Sequence, residues 1–259
     1  MVKRYPATGT PEARLAGWRS MNTAGRGGMT PEGWTIVVPV KSLDRAKSRL
    51  VPALTADGRR ALVAAMAIDV LRACVSTPGV ARVRVVSGDP RVAALASTAG
   101  AEFVEEPAYT DPPPVDPLNL ALDRALADVT GPVGVVAADL PELRAHHLAR
   151  ILDTAGRHLH SMVTDHRGSG TTMAFWTGAP DTRVCRFGAD SAARYRVEGG
   201  AAAIAAGGDL GAAARDVDVP DDLAALPGRT VGPATAGALR DPSVRLLAHA
   251  TGVSATMVP

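Results

Sequence analysis

Short apolar runs alternate with stretches of helical periodicity along most of this chain, and that alternation restricts the fold more than any other feature. Trp34–Val40 is continuously apolar, as a strand buried on both faces must be. Thr55 stands where a helix N-cap belongs, and Leu62, Met66, Val70 and Cys74 follow at every fourth residue. The pattern continues with a strand over Arg82–Val86, a helix over Pro90–Thr98 and a short strand over Glu102–Val104. A helix over Asn119–Val129 precedes a strand over Val133–Ala138, and Arg144–Ala155 is helical. Ser161–Thr164 and Thr172–Trp176 read as strands around a Gly-rich crossing, and Ser191–Ala206 as an Ala-rich helix. A last strand contains Val217 and ends at Pro220, which begins another helix to Ala225.

The expected fold class is therefore α/β, with a mostly parallel sheet and helices on both faces. Aromatic residues are only 3% of the chain, so the core is built from Ala, Val and Leu, which suits helices packed closely on such a sheet. Residues 1–32 are rich in Gly, Thr and Pro without periodicity and read as a disordered extension. Residues 33–240 form the expected domain, and the tail over 241–259 has no evident partner. Between Glu106 and Pro117 the prolines and acidic residues predict a long loop, a feature that is usually functional in a compact domain.

The net charge of +2 is uneven: Lys3, Arg4, Arg14, Arg19 and Arg26 face Glu12 alone in the first 28 residues. The remainder is slightly acidic and carries no footprint for nucleic acid. No apolar run is long enough for a membrane span and no secretory pattern is present, so the expected compartment is the cytoplasm. Cys74 and Cys185 are too isolated for a zinc site, and Cys74 falls on an apolar helical stripe. His146 and His147, adjacent on a helix, are expected to point about 100° apart and not to chelate together.

In open α/β sheets ligands bind beyond the carboxyl ends of the strands, so those ends are where chemistry is sought. The first strand runs into a segment holding Lys41, Arg45, Lys47 and Arg49, a cradle for a triphosphate or else a solvated loop. It contains no glycine and is neither a Walker loop nor a dinucleotide fingerprint. Asp139 ends a strand that Pro141 stops, either facing the crevice as a metal ligand or capping the next helix. Asp216 and Asp218 flank Val217, and in a strand two residues apart share a face. Carboxylates so placed repel unless a hard cation such as Mg²⁺ lies between them. Gly168–Thr172 and the turn from Arg186 to Ser191, which leads into a helix, offer backbone N–H groups to a second anion. Two anion sites with carboxylates between them suggest nucleotidyl transfer, which works by positioning and charge neutralisation.

The stretches VPVKSLDRAKSRL (38–50), DPLN (116–119), ADLP (138–141), DHRGSGTTMAF (165–175), RFGADSAAR (186–194), DVDVPDDL (216–223) and VGPATAGAL (231–239) resemble, in the same order, the guanylyltransferases of coenzyme F-420 biosynthesis. The resemblance covers about residues 33–240. It implies a single-domain nucleotidyltransferase-type (Rossmann-like) fold and transfer of GMP from GTP to a small phosphorylated three-carbon acid. Phosphoenolpyruvate is the preferred acceptor and 2-phospho-L-lactate the alternative. By the same resemblance Asp139 and Asp216 hold Mg²⁺ with Asp218 assisting, and Thr171, Gly188 and Ser191 contact the acid. Lys41, Lys47 and Arg49 face the GTP phosphates, while Ser87, Asp89 and Asn119 approach the nucleoside. A downstream deazaflavin transferase and a homodimer are the implied partners. The pattern departs at Tyr195, where the family has His, and at Ser169, where Thr is commoner. A sugar-phosphate or molybdopterin nucleotidyltransferase and a non-catalytic nucleotide-binding module are the other readings.

Overall fold

A computed structural model describes residues 33–106 and 116–244. The expected N-terminal extension, most of the loop between Glu106 and Pro117, and residues 245–259 lie outside the described residues. The seven strands are β1 (Trp34–Pro39), β2 (Val80–Ser87), β3 (Glu102–Glu105), β4 (Val133–Val136), β5 (His160–Thr164), β6 (Thr171–Trp176) and β7 (Ala202–Ala203). They form one sheet in the order β3-β2-β1-β4-β6-β5-β7. β1, β2, β3 and β4 pair parallel, β6 pairs antiparallel to both β4 and β5, and β7 pairs parallel to β5. Hence only β6 runs against the rest, and the expected mostly parallel sheet is what the chain forms.

The two-residue period of β1 sends Ile36 and Val38 to one face and Val37 to the other. On the first face pack α1 (Ala56–Val75), α2 (Arg91–Ala99) and α4 (Ala145–Ala155). On the second pack α3 (Pro117–Ala127) and α5 (Ser191–Val197). Thr55 caps α1 by accepting from Gly58 N–H at 3.0 Å, and the stripe from Leu62 to Cys74 is fully buried. Burial pushes the Cys74 thiol up to about 12, so it serves the core and not chemistry. Small side chains allow close packing: a Cβ at Gly134 in β4 would meet Phe175 Cδ1 at 2.6 Å.

Three expectations change. The helix expected over Ser191–Ala206 stops at Val197, because Gly199 and Gly200 break it and Gly200 adopts φ +59°. The alanines beyond it form β7, so a composition that favours helix is overridden by pairing with β5. The segment Asp216–Asp218 joins no sheet; it is an irregular stretch whose Val217 N–H donates to Asp139 C=O at 3.2 Å. Finally, the tail does not begin at 241, since a 3₁₀ turn over Pro242–Val244 packs on α1 and buries Val244.

A separate apolar cluster anchors these C-terminal elements. Val217, Leu223 and Leu226 join Leu62 and Met66 of α1, with α6 (Leu210–Ala213), α7 (Pro220–Ala224) and α8 (Pro233–Arg240) completing the chain order. Asp69, buried within α1, accepts from Ala234 N–H at 3.1 Å and Thr235 N–H at 2.7 Å and so caps α8 from a distance. Gly232 leaves the necessary room, because a Cβ there would meet Asp69 Cγ at 2.0 Å. Asp69→Ala is expected to cost about 1–3 kcal/mol, the range for leaving buried N–H donors unpaired. Urea denaturation followed by circular dichroism checks this; an unchanged midpoint would show that α8 is held without its distant cap.

Candidate functional site

Three carboxylates converge beyond the carboxyl end of β4. Asp139 follows that strand directly, and Asp216 and Asp218 arrive on the segment pinned to the Asp139 carbonyl. Val217 is buried between them, so its side chain anchors the segment while its neighbours project the other way. One oxygen from each of the three lies within 4.8 Å of the others. Burial, then the charge of Asp139, raises the pKa of Asp216 above the ordinary carboxylate range; Lys47 and His166 only partly oppose this. For Asp218 burial acts in the same direction, but Lys47 and Arg49 outweigh it and hold the group low.

The cationic segment supplies Lys47, whose ammonium bonds Asp139 and also Asp218 Oδ1 at 3.0 Å. The Lys47 side chain is only 10% exposed. Burial alone would lower its pKa, yet Asp139 and Asp218 drive it up to about 12. Arg49 reaches Asp218 Oδ2 at 2.7 Å from a largely exposed position. Lys41 and Arg45 line the same cavity and make no ion pair among the described residues.

The opposite wall consists of two turns. Asp165 accepts from Ser169 N–H at 3.1 Å, and a Cβ at Gly170 would meet the Asp165 carboxylate at 2.5 Å. Ala192 N–H then donates to Ser169 C=O at 3.0 Å, tying this turn to the one from Phe187 to Ser191. Gly188 has φ +116°, which requires glycine, and Asp190 has φ +52°. Together these elements enclose a cavity of about 610 Å³ lined by Lys41, Lys47, Arg49, Asp139, Thr171, Gly188, Ser191, Asp216 and Asp218. Nine of the twelve residues singled out in the sequence thus meet around one space. A smaller, more apolar recess of about 280 Å³ adjoins it, with Val40, Val63, Met66, Leu118 and Phe187 in its lining.

Ser87, Asp89 and Asn119 do not line either space. Ser87 is buried and its hydroxyl accepts from Asp89 N–H at 3.1 Å. The Asp89 carboxylate accepts from Leu43 N–H at 3.0 Å and pairs with Arg91, which holds its pKa well below the usual range. Asn119 is likewise committed: its Oδ1 accepts from Phe187 N–H at 2.8 Å and its Nδ2 donates to Phe187 C=O at 2.9 Å. These three brace the cationic segment and the Gly188 turn from behind. Tyr195 belongs with them, since its buried hydroxyl accepts from Arg186 N–H at 3.0 Å at the start of that turn.

Sequence reasoning gave no role to Asp165, His166 or Asp222, although all three lie in the quoted motifs. Asp222 accepts from Asp218 N–H at 2.8 Å and Val219 N–H at 3.0 Å, and His166 Nδ1 sits 3.3 Å from Asp216 Oδ1. The signal for Asp222 was present: an acidic residue in the first turn after Val219-Pro220 caps the helix that follows. A larger hollow of about 650 Å³ meets the first cavity at Asp165 and Asp216, but its cations are matched locally. Arg167 pairs with Asp222, while Arg215 and Arg229 share Glu142.

His146 and His147 were expected to diverge, yet their ring centroids are 4.0 Å apart and donor atoms of both lie within 4.8 Å of Asp209. Asp209 is spent on Arg150 at 2.6 Å and on the N–H of Leu210, and none of the three residues lines the spaces around Asp139.

A family model described as "Guanylyl transferase CofC like" matches residues 34–191. Proteins named phosphoenolpyruvate guanylyltransferase are similar to this chain over most of their length. That of Mycolicibacterium gilvum is 38% identical over 79% of this chain and 94% of its own. That of Nocardia farcinica is 39% identical over 82% and 93%. Among solved structures, a Desulfovibrio desulfuricans protein described as a nucleotide-diphospho-sugar transferase superposes with a TM-score of 0.56. It covers 82% of this chain and 92% of its own at 15% identity, a likeness of fold alone.

Because its folded pKa is raised, Asp216 supports the fold while protonated and weakens it as pH rises through that elevated value. Asp216→Asn is therefore expected to raise metal-free stability near neutral pH by about 0.5–2 kcal/mol, with the gain vanishing in acid. Thermal melts in chelator at several pH values test it. A lower melting temperature at neutral pH would contradict the assigned strain.

Proposed function

This chain belongs to the CofC-like guanylyl transferase family, and we propose that it transfers GMP from GTP to phosphoenolpyruvate, with release of pyrophosphate, in coenzyme F-420 biosynthesis. The observation that carries the reading is one cavity with cations on one wall, backbone turns on the other and three carboxylates between. Lys41, Lys47 and Arg49 receive the triphosphate, and the adjoining apolar recess suits a purine. Thr171, Gly188 and Ser191 receive the phosphorylated acid on the opposite wall. Ser87, Asp89 and Asn119 act from behind, by holding the two walls in register.

Asp139, Asp216 and Asp218 fit a hard divalent cation. All three present oxygen, they lie close together, and burial beside Asp139 leaves Asp216 short of counter-charge. Mg²⁺ held by Asp139, Asp216 and Asp218 would supply Lewis-acid neutralisation of the charge that builds up on the phosphates during transfer.

The acceptor's phosphate oxygen attacks the α-phosphorus of GTP in line, a new P–O bond forms, and the bond to the β-phosphate oxygen breaks. Pyrophosphate carries away the electron pair, and the cationic wall neutralises it. No protein nucleophile is needed, and both cysteines are buried with their thiol pKa values raised. Among the described residues no helix is long and apolar enough to cross a membrane.

The test is pyrophosphate release with GTP and Mg²⁺, comparing phosphoenolpyruvate, 2-phospho-L-lactate and no acceptor. The deazaflavin transferase that would consume the product is included. Release that depends on phosphoenolpyruvate is expected, and Asp139→Ala should lower turnover on the order of 10²–10⁴-fold. Turnover with 2-phospho-L-lactate alone would change the acceptor, and near-normal turnover of Asp139→Ala would remove the metal assignment.

A further inference from the structure

The place where a cation belongs already contains one. The Lys47 ammonium bonds both Asp139 and Asp218, two of the three carboxylates whose oxygens cluster within 4.8 Å. A divalent ion held by the same three carboxylates would sit close to the ammonium that bonds two of them. Two cations at that separation, in a half-buried site with weak screening, repel by far more than thermal energy. The ammonium and an added ion therefore compete for Asp139 and Asp218.

We propose that Lys47 is a built-in stand-in for the divalent cation: it neutralises Asp139 and Asp218 before substrates arrive, and cation binding drives its ammonium off them onto the phosphates of the nucleotide. The proposal deepens the functional reading and rests on its assignment of Asp139, Asp216 and Asp218 as metal ligands. Three observations support a movable lysine. The side chain carries its charge on a flexible four-carbon stem. It lines the same cavity as Lys41, Arg45 and Arg49, so a displaced ammonium stays within the space assigned to the triphosphate. Its backbone is left-handed at φ +55°, uncommon for a residue with a side chain. The only other such residue among the described ones, Asp190, lines the same cavity from the opposite wall.

Coupling follows from the geometry. Without nucleotide, a cation must evict an ammonium that then has no anion to pair with. With a triphosphate present, the evicted ammonium regains partners, so eviction costs less. By linkage the cation strengthens nucleotide binding by the same factor as the nucleotide strengthens cation binding. Arg49 is the internal control. It also meets Asp218, but from a side chain 72% exposed and from the oxygen that Lys47 does not use. Arg49→Met therefore removes a similar charge while leaving the ammonium shared by Asp139 and Asp218 in place.

Mn²⁺ binding to the full chain, followed by the loss of the free-ion electron paramagnetic resonance signal, separates these roles. Wild type, Lys47→Met, Lys47→Gln, Arg49→Met and Asp216→Asn are titrated with and without a non-hydrolysable GTP analogue. Lys47→Met and Lys47→Gln are expected to bind Mn²⁺ at least about tenfold tighter than wild type without nucleotide, within the usual range of coupling between sites. Their additional tightening with the analogue should be smaller than in wild type, and Arg49→Met should change nucleotide-free binding far less. Mn²⁺ should also raise the melting temperature of Lys47→Met more than that of wild type, a readout available even if the variant is less stable. Equal or weaker nucleotide-free binding by both Lys47 variants would overturn the stand-in. An equal gain in Arg49→Met would do the same, by reducing the effect to net charge. If Asp216→Asn binds Mn²⁺ as wild type does, the metal assignment itself fails and the stand-in with it. If Asp216→Asn loses Mn²⁺ while the Lys47 variants are unchanged, the stand-in alone fails.

Discussion

The hydrogen bond from Val217 N–H to the Asp139 carbonyl fixes where the segment after α6 meets the sheet. Asp139 lies just past the end of β4, the middle strand of the sheet, where the parallel strands meet the antiparallel β6, so any segment bonded there is delivered to the crevice. Burial of Val217 sets the rotation of that segment, and the flanking carboxylates have no direction left except toward Asp139. The small apolar cluster that includes Leu62, Met66, Leu223 and Leu226 then holds the segment down. Concentrated negative charge follows from this arrangement, and the cationic segment after β1 answers it. Architecture comes first, charge conflict second, counter-charge third.

Local patterns carried the sheet and its first helices. Trp34–Pro39 and the Leu62–Cys74 stripe are governed by short-range periodicity, and the structure follows them closely. What the pattern could not carry was set by distant partners. Ala202 and Ala203 have the composition of a helix, but the edge of β5 and a left-handed Gly200 make them strand. Asp216–Asp218 has the alternation of a strand, yet its single backbone partner is a carbonyl off the end of β4. The cap on α8 was illegible for the same reason, since Asp69 lies more than a hundred and sixty residues away from the N–H groups it satisfies.

Around the site, residue type proved a better guide to location than to role. Carboxylates at strand ends and a basic segment after β1 do share one space. Ser87, Asp89 and Asn119 are polar residues in the right region, but each satisfies a nearby backbone group of the site instead of facing the cavity. A buried polar side chain is costly unless paired, so such residues turn toward whatever loop needs a partner. Tyr195 is committed to the same turn: its hydroxyl accepts from the N–H of Arg186, while its ring packs against Phe187 and Trp176.

A site built to hold a divalent ion between three carboxylates is unstable when empty, and a fold can offset that instability in two ways. It can leave the carboxylates to water, which weakens every later interaction with the ion, or it can supply a removable internal cation. Asp216, half-buried and lacking a direct bond to Lys47 or Arg49, has the benefit of neither, and its pKa is raised accordingly. Asp218, bonded to both, shows the relief of the second. The unequal treatment of two residues separated by a single valine implies a division of labour. Under the proposed metal assignment, Asp216 keeps an unmet demand for a cation, which would draw the ion to the site. Asp139 and Asp218 hold Lys47, whose charge would, under the same proposal, become available to the phosphates once that demand is met.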